Sequence, residues 1–114
     1  MNYEAYAQIM KALSDPKRIK ILDMLSCGDM CACDILEHFD FTQPTLSHHI
    51  KVLVNAGLVT TKKEGTWHYY SINDTAANQL IKDTITLLSA KDDCICVTKE
   101  QKEGANCNEK TGAL

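Results

Sequence analysis

Cys31-Ala32-Cys33 concentrates more chemistry in fewer residues than any other segment of this chain. Two thiols can grip a soft ion, and they do so as thiolates. Placed at a helix start, they gain acidity from the helix dipole. Inside an α-helix, however, residues i and i+2 point about 160° apart. A ligand held by both sulfurs would therefore distort the helix start or select a form already distorted. The residues that follow read as the second half of a helix-turn-helix, so the expected arrangement sets a soft-ion site beside a DNA-reading element. The same spacing recurs at Cys94 and Cys96, while Cys27 and Cys107 stand alone.

Six cysteines in 114 residues would suit a secreted disulfide framework. Against that, Met1-Asn2-Tyr3-Glu4 leads straight into an amphipathic helix, without the basic and apolar regions of a signal peptide. No apolar run approaches the length of a membrane span, so no membrane partner is expected. The expectation is a cytoplasmic protein whose reduced thiols bind metal or act in redox chemistry. The 12 Lys+Arg against 15 Asp+Glu give a net charge of −3, which argues against a bulk nucleic-acid coat or a membrane-surface binder. The distribution says more than the sum. Between Thr42 and Ile72 stand Lys51, Lys62, Lys63, His48, His49 and His68, with Glu64 the only acid. Lys17, Arg18 and Lys20 form a second basic cluster, and the acids collect elsewhere. One basic face on an acidic body is the pattern.

The elements that must position these groups follow from periodicity and punctuation. Tyr3, Tyr6, Ala7, Met10 and Leu13 predict a first helix over Tyr3 to Leu13. Asp15 and Pro16 start a second, striped by Ile19, Leu22, Met24 and Leu25 and ending near Ser26-Cys27-Gly28. A short third helix takes Ala32 to Phe39, and Asp40-Phe41 turns the chain. Thr42 caps a fourth, with Leu46, Ile50, Leu53 and Val54 inward and Asn55-Ala56-Gly57 closing it. This is helix-turn-helix geometry, with Gln43, Thr45, Ser47, His48 and Lys51 outward, groups able to reach base edges and phosphates. His49 is assigned to the same DNA-facing surface. Leu58 to Lys63 and Thr66 to Ile72 predict a two-stranded wing around Glu64-Gly65, with His68, Tyr70 and Ile72 inside and Trp67, Tyr69 and Ser71 outside. A last helix, about Thr75 to Ala90, carries Leu80, Ile81, Leu87 and Leu88. The fold class is thus mainly α with a β-hairpin: a winged helix-turn-helix of five helices over residues 1–90. A cysteine-containing flexible tail follows over 91–114.

Three segments now carry a family likeness. Leu13-Ser14-Asp15-Pro16-Lys17-Arg18-Ile19, Met30-Cys31-Ala32-Cys33-Asp34-Ile35-Leu36 and Gln43-Pro44-Thr45-Leu46-Ser47-His48-His49 resemble the ArsR/SmtB winged-helix repressors. The likeness spans residues 3 to 90 without gaps and is strongest to the arsenical-resistance branch of that family. It implies a homodimer built on the first and last helices. It also implies an inverted-repeat operator in double-stranded DNA, bound without any cofactor and released by As(III) or Sb(III). Some members carry a third cysteine three residues after the second, where this chain has Leu36. Zinc and nickel sensors use an Asp/His set on the last helix, which here offers Asp83 and no histidine.

Under this resemblance Cys31 and Cys33 are metalloid ligands. Trivalent arsenic prefers three thiolates, and the third is open among Cys94, Cys96, Cys107 and Cys27. Were the two Cys-x-Cys pairs to meet, the resulting S4 site would suit cadmium, lead or zinc better. The wing residues Lys62, Lys63 and Trp67 would hold a phosphate strand, or else form a solvated hairpin tip; Lys17 and Arg18 are further phosphate candidates. A redox-switched thiol repressor is a further alternative. A thiol enzyme is the remaining class, and it lacks the Cys-x-x-Cys spacing and βαβ context of thioredoxin-like folds.

Overall fold

A computed structural model describes residues 1–89. They form five helices and three strands: α1 (Tyr3–Leu13), α2 (Pro16–Leu25), β1 (Met30–Cys31), α3 (Ala32–Leu36), α4 (Gln43–Asn55), β2 (Val59–Glu64), β3 (Trp67–Ile72) and α5 (Asp74–Leu88). The chain divides into a compact unit over Met1–Asp83 and a second unit beginning at Thr84, of which the last turns of α5 and Ser89 are described. The expected tail, residues 91–114, lies outside the described residues, and with it Cys94, Cys96 and Cys107. No helix among the described residues is long and apolar enough to cross a membrane.

Local chemistry explains the helix starts. The Asn2 side chain accepts from the Ala5 N–H at 3.0 Å and caps α1. Asp15 Oδ1 accepts from the N–H groups of Lys17 (2.7 Å) and Arg18 (3.3 Å), and Pro16 occupies the first turn of α2, where no N–H is needed. Thr42 stands at the N-cap of α4 as expected, but its hydroxyl meets that of Thr45 at 3.3 Å instead of capping a backbone N–H. Between α4 and β2 the chain reverses at Gly57, whose φ of +83° is open to glycine and costly for other residues. Asn73 then ties the domain together. Its N–H donates to the Leu58 carbonyl (2.8 Å), its Nδ2 to the Gly57 carbonyl (3.0 Å), and its Oδ1 accepts from the Ala76 N–H.

The core is one cluster: Ile21 and Leu25 of α2, Ile35 of α3, Leu46, Ile50 and Leu53 of α4, and Leu58 and Val59 entering the wing. Burying Leu53 or Ile35 removes a whole aliphatic side chain from water, which stabilises the fold by about 1.5–3 kcal/mol each. Against this cluster α5 contributes only half-buried side chains such as Ala76 and Leu80, and none of its residues is buried.

The sheet departs from the expected two-stranded wing. It has three antiparallel strands in the order β1-β3-β2. Met30 pairs with Tyr70 and Cys31 with Tyr69, while β2 and β3 run in register from Val59↔Ile72 to Glu64↔Trp67. The third helix is correspondingly shorter than expected, five residues ending at Leu36. The expected inner and outer faces of β3 also change. Ser71 is buried, its hydroxyl 3.0 Å from that of Thr60, whereas His68 is exposed. Only the root of the hairpin reaches the core. Residues 60–68 are exposed, whereas Val59 and Ser71 at its root are buried.

Candidate thiol site and nucleic-acid interface

Cys31 ends β1 and is the N-cap of α3, with extended backbone at φ −82° and ψ 164°. Its Sγ accepts from the Asp34 N–H at 3.4 Å, the role that serine or aspartate usually plays at this position. Cys33 lies within the first turn. Because Cys31 is outside the helix, the divergence expected of two helical thiols does not arise. The Cα atoms are 5.4 Å apart and the two sulfurs are joined. No unwinding is needed to bring them together. The expectation that a shared ligand must distort α3 is corrected here, because it assumed helical backbone at both cysteines.

The two sulfurs differ in setting. Cys31 is 6% exposed, whereas Cys33 is open to solvent. Exposed Asp34 completes the only cluster of three such groups among the described residues, its ligand oxygen and both sulfurs lying within 4.8 Å of one another. Sequence reasoning missed Asp34. The signal was its place directly after Cys33 and in the first turn, where an acid also complements the helix dipole. Cys27 is a free, exposed thiol and not part of this group.

The second helix of the helix-turn-helix is α4. Its buried stripe is Leu46, His49, Ile50 and Leu53, which leaves Gln43, Ser47, His48 and Lys51 exposed and Thr45 half-buried. His49, assigned to the DNA-facing surface, is instead buried. It falls three residues after Leu46, on the inward stripe, and that spacing was the available signal. Its Nδ1 lies 3.2 Å from Nη1 of Arg18, and its ring is 5.5 Å from Phe41. Burial lowers the His49 pKa, the nearby Asp15 opposes this, and the charges of Arg18, His48 and Lys17 add to the lowering. The imidazole is therefore neutral and accepts from the guanidinium.

Arg18 is likewise placed inside. Its Nε donates to the Ala12 carbonyl at 2.6 Å, and Nη1 stands 3.9 Å from the Asp15 carboxylate. Those bonds remove it from the phosphate candidates. Partial burial raises the Asp15 pKa, but the N–H donors of Lys17 and Arg18, with the charge of Arg18, outweigh it and hold the carboxyl below its ordinary value. Lys17 stays at the surface, its amine 5.8 Å from the Phe41 ring centre. On the wing, Lys62, Lys63 and Trp67 are all exposed, and Lys62 pairs with Asp29 at 3.2 Å.

Similarity to known proteins agrees with this arrangement. Residues 15–61 match the model of the bacterial regulatory protein arsR family. The arsenical resistance operon repressor of Staphylococcus aureus is 47% identical over 104 residues, covering 91% of this chain and 98% of that protein. The Bacillus subtilis (strain 168) protein of the same description is 37% identical over 103 residues, covering 90% of each. In fold, an ArsR-like transcriptional regulator from Rhodococcus sp. RHA1 superposes with a TM-score of 0.70 at 24% identity, covering 91% of this chain and 97% of that one. With a helix-turn-helix whose second helix is α4, a wing on β2 and β3, and relatives matched across nearly their whole length, the chain belongs to the arsR family of bacterial regulatory proteins.

Proposed function

We propose that this protein represses an arsenical-resistance operon in the cytoplasm and leaves its operator when trivalent arsenic or antimony binds at Cys31 and Cys33. One observation carries the reading: Cys31, whose sulfur meets that of Cys33, is also the N-cap of the helix that opens the helix-turn-helix. Donor chemistry fits as well, since two adjacent sulfurs are what a soft thiophilic ion selects. Reduced, the pair would hold the metalloid through two sulfur bonds, each formed with loss of one water from the arsenous acid. A Cys31 sulfur so engaged is a poorer acceptor for the Asp34 N–H. The cap of α3 then weakens, and α3 packs against α4. A ligand preference of about 5.5 kcal/mol for the released state is enough to move an equilibrium from 1:99 to 99:1.

Operator affinity would come from phosphate contacts of Lys51, Lys63 and Lys62, aided by Trp67, and sequence reading from Gln43, Thr45, Ser47 and His48 in the major groove. A homodimer on an inverted repeat is supported by the exposed apolar residues Ile81, Ile85 and Leu88, spaced along α5 at i, i+4 and i+7, and by Tyr3 on α1. The third ligand would come from Cys94, Cys96, Cys107 or Cys27.

Asp34 favours a second reading, a cadmium, lead or zinc sensor, because a carboxylate suits a divalent ion better than arsenic. A redox switch is supported by the placement of the two cysteines, whose Cα atoms stand 5.4 Å apart, within disulfide reach. The test is operator binding by the reduced protein titrated with arsenite, cadmium, zinc and hydrogen peroxide, for wild type and Cys33→Ser. Release by arsenite in wild type and retention in the variant support the proposal. Release by cadmium alone, or by peroxide without metal, selects the corresponding alternative. Failure to bind DNA overturns all three.

A further inference from the structure

The strand β1 is only two residues long, yet it places Cys31 in two structures at once. It caps α3, and it stands in register with Tyr69 on β3. Tyr69 in turn stands opposite Lys62 on β2. The Lys62 amine returns to Asp29, 3.2 Å away and two residues before Cys31. Backbone pairing and this ion pair thus close a ring: Asp29, Met30, Cys31, across to Tyr69, across to Lys62, and back.

We infer that the wing is a second output of the thiol pair, with Asp29 as the residue that positions it through Lys62. The inference rests on the reading of Cys31 and Cys33 as the inducer site and adds a route independent of α4. Buried Cys31 cannot shift alone, because its backbone is in the ladder and its sulfur accepts from Asp34. A ligand that alters the spacing or angle of the two sulfurs must move the start of α3 or β1, and β1 moves with β3. Lys62 is one of the two wing lysines. While its amine is on Asp29, that amine is not on a phosphate. Asp29 and the DNA backbone therefore compete for one cation, and the thiol site lies inside the ring that sets the competition. The pair is well exposed, 62% and 45% for the two side chains, so its own contribution is small. The strand ladder carries most of the connection.

The experiment is peptide-level hydrogen exchange on the full reduced chain, with and without arsenite and without DNA, alongside operator affinity in both states. In wild type, arsenite is expected to change exchange at residues 67–72 as well as 30–36. Asp29→Asn should keep the change at 30–36, lessen it at 67–72 without abolishing it because the strand ladder remains, and bind operator more tightly at low salt. Its arsenite-induced loss of affinity should shrink about two- to fivefold, the range of an exposed ion pair. Lys62→Gln should reduce the response to a similar degree, and the double variant should reduce it no further, because the two residues act through one contact. Should wild type bind arsenite and release DNA with exchange altered only at 30–36, the wing route is overturned and the inducer site stands. Should arsenite alter neither exchange nor DNA binding, the inducer site itself falls, and the wing route with it.

Discussion

Arg18 donates from Nη1 to Nδ1 of His49 across 3.2 Å, joining the N-terminal turn of α2 to the middle of α4. The same guanidinium bonds the Ala12 carbonyl at the end of α1, so one side chain fastens three helices. Arg18→Ala leaves a buried imidazole nitrogen and a carbonyl without that donor. The expected cost is about 1–3 kcal/mol of unfolding free energy. Urea denaturation checks it, and Arg18→Lys should recover only part of the loss because an ammonium cannot span both acceptors as the planar fork does.

A pH dependence follows from the lowered His49 pKa. The folded state keeps the ring neutral, while the unfolded chain takes up a proton near the ordinary value of about 6.5. Between the two pKa values the unfolded state binds more protons, so stability rises with pH there. Stability is therefore fully present above about pH 6.5 and is lost as pH falls from there toward the folded-state value. Thermal melts of wild type from pH 7.5 down to 5.5 should show the decline, and His49→Gln should flatten it. An unchanged slope in the variant would remove His49 from this role.

The two cysteines should respond differently to serine. Cys33→Ser removes an exposed thiol and, on the proposed function, should abolish arsenite release with operator affinity and melting temperature little changed. Cys31→Ser should also abolish release, but it substitutes a good helix cap for a buried sulfur, so its stability is set by two opposing terms of about 1 kcal/mol each. Equal operator affinity of all three proteins without arsenite, measured by fluorescence anisotropy, would show that the thiols serve response and not recognition.

Reading and holding should separate in the DNA variants. Lys51→Ala or Lys63→Ala each deletes one proposed phosphate partner, so the slope of log affinity against log salt should fall by about 0.9 per contact, with little change in sequence preference. Gln43→Ala should instead leave the slope and lose about 1–3 kcal/mol of discrimination at one base pair. A lysine variant that altered preference without altering the slope would reverse these assignments.

On α5, Ile85→Glu should convert a dimer to monomer in sedimentation and weaken operator binding at least tenfold. The monomer should keep its helix content, because the core of the Met1–Asp83 unit does not include Ile85.

Legibility in the sequence followed the strength of local signals. The span of α1, the Asp15 cap of α2 and the start of α4 were readable because periodicity and an N-cap residue mark them. β1 was not, since two residues carry no period and their strand character exists only through pairing with β3. That omission led to the expectation of helical backbone at Cys31, and hence of diverging sulfurs. His49 and Arg18 were misplaced for a related reason. Polar side chains in a basic stretch look like a surface until their partners are known, and those partners lie 31 residues apart in sequence. Ser71 shows the same limit on a strand, where alternation predicts a face but not whether that face is buried.

If Cys31 and Cys33 hold the inducer, as proposed, their unequal exposure also sets an order of events. An incoming thiophile collides first with Cys33, which is open to solvent, and reaches Cys31, 6% exposed, only by closing a ring through it. Arrival is then a bimolecular step governed by one thiol, and commitment is a unimolecular step governed by the other. A monothiol-reactive compound would stop after the first. Such a compound would occupy the protein without triggering it, and the repressor would thereby distinguish ions able to bridge two sulfurs from reagents that merely alkylate one.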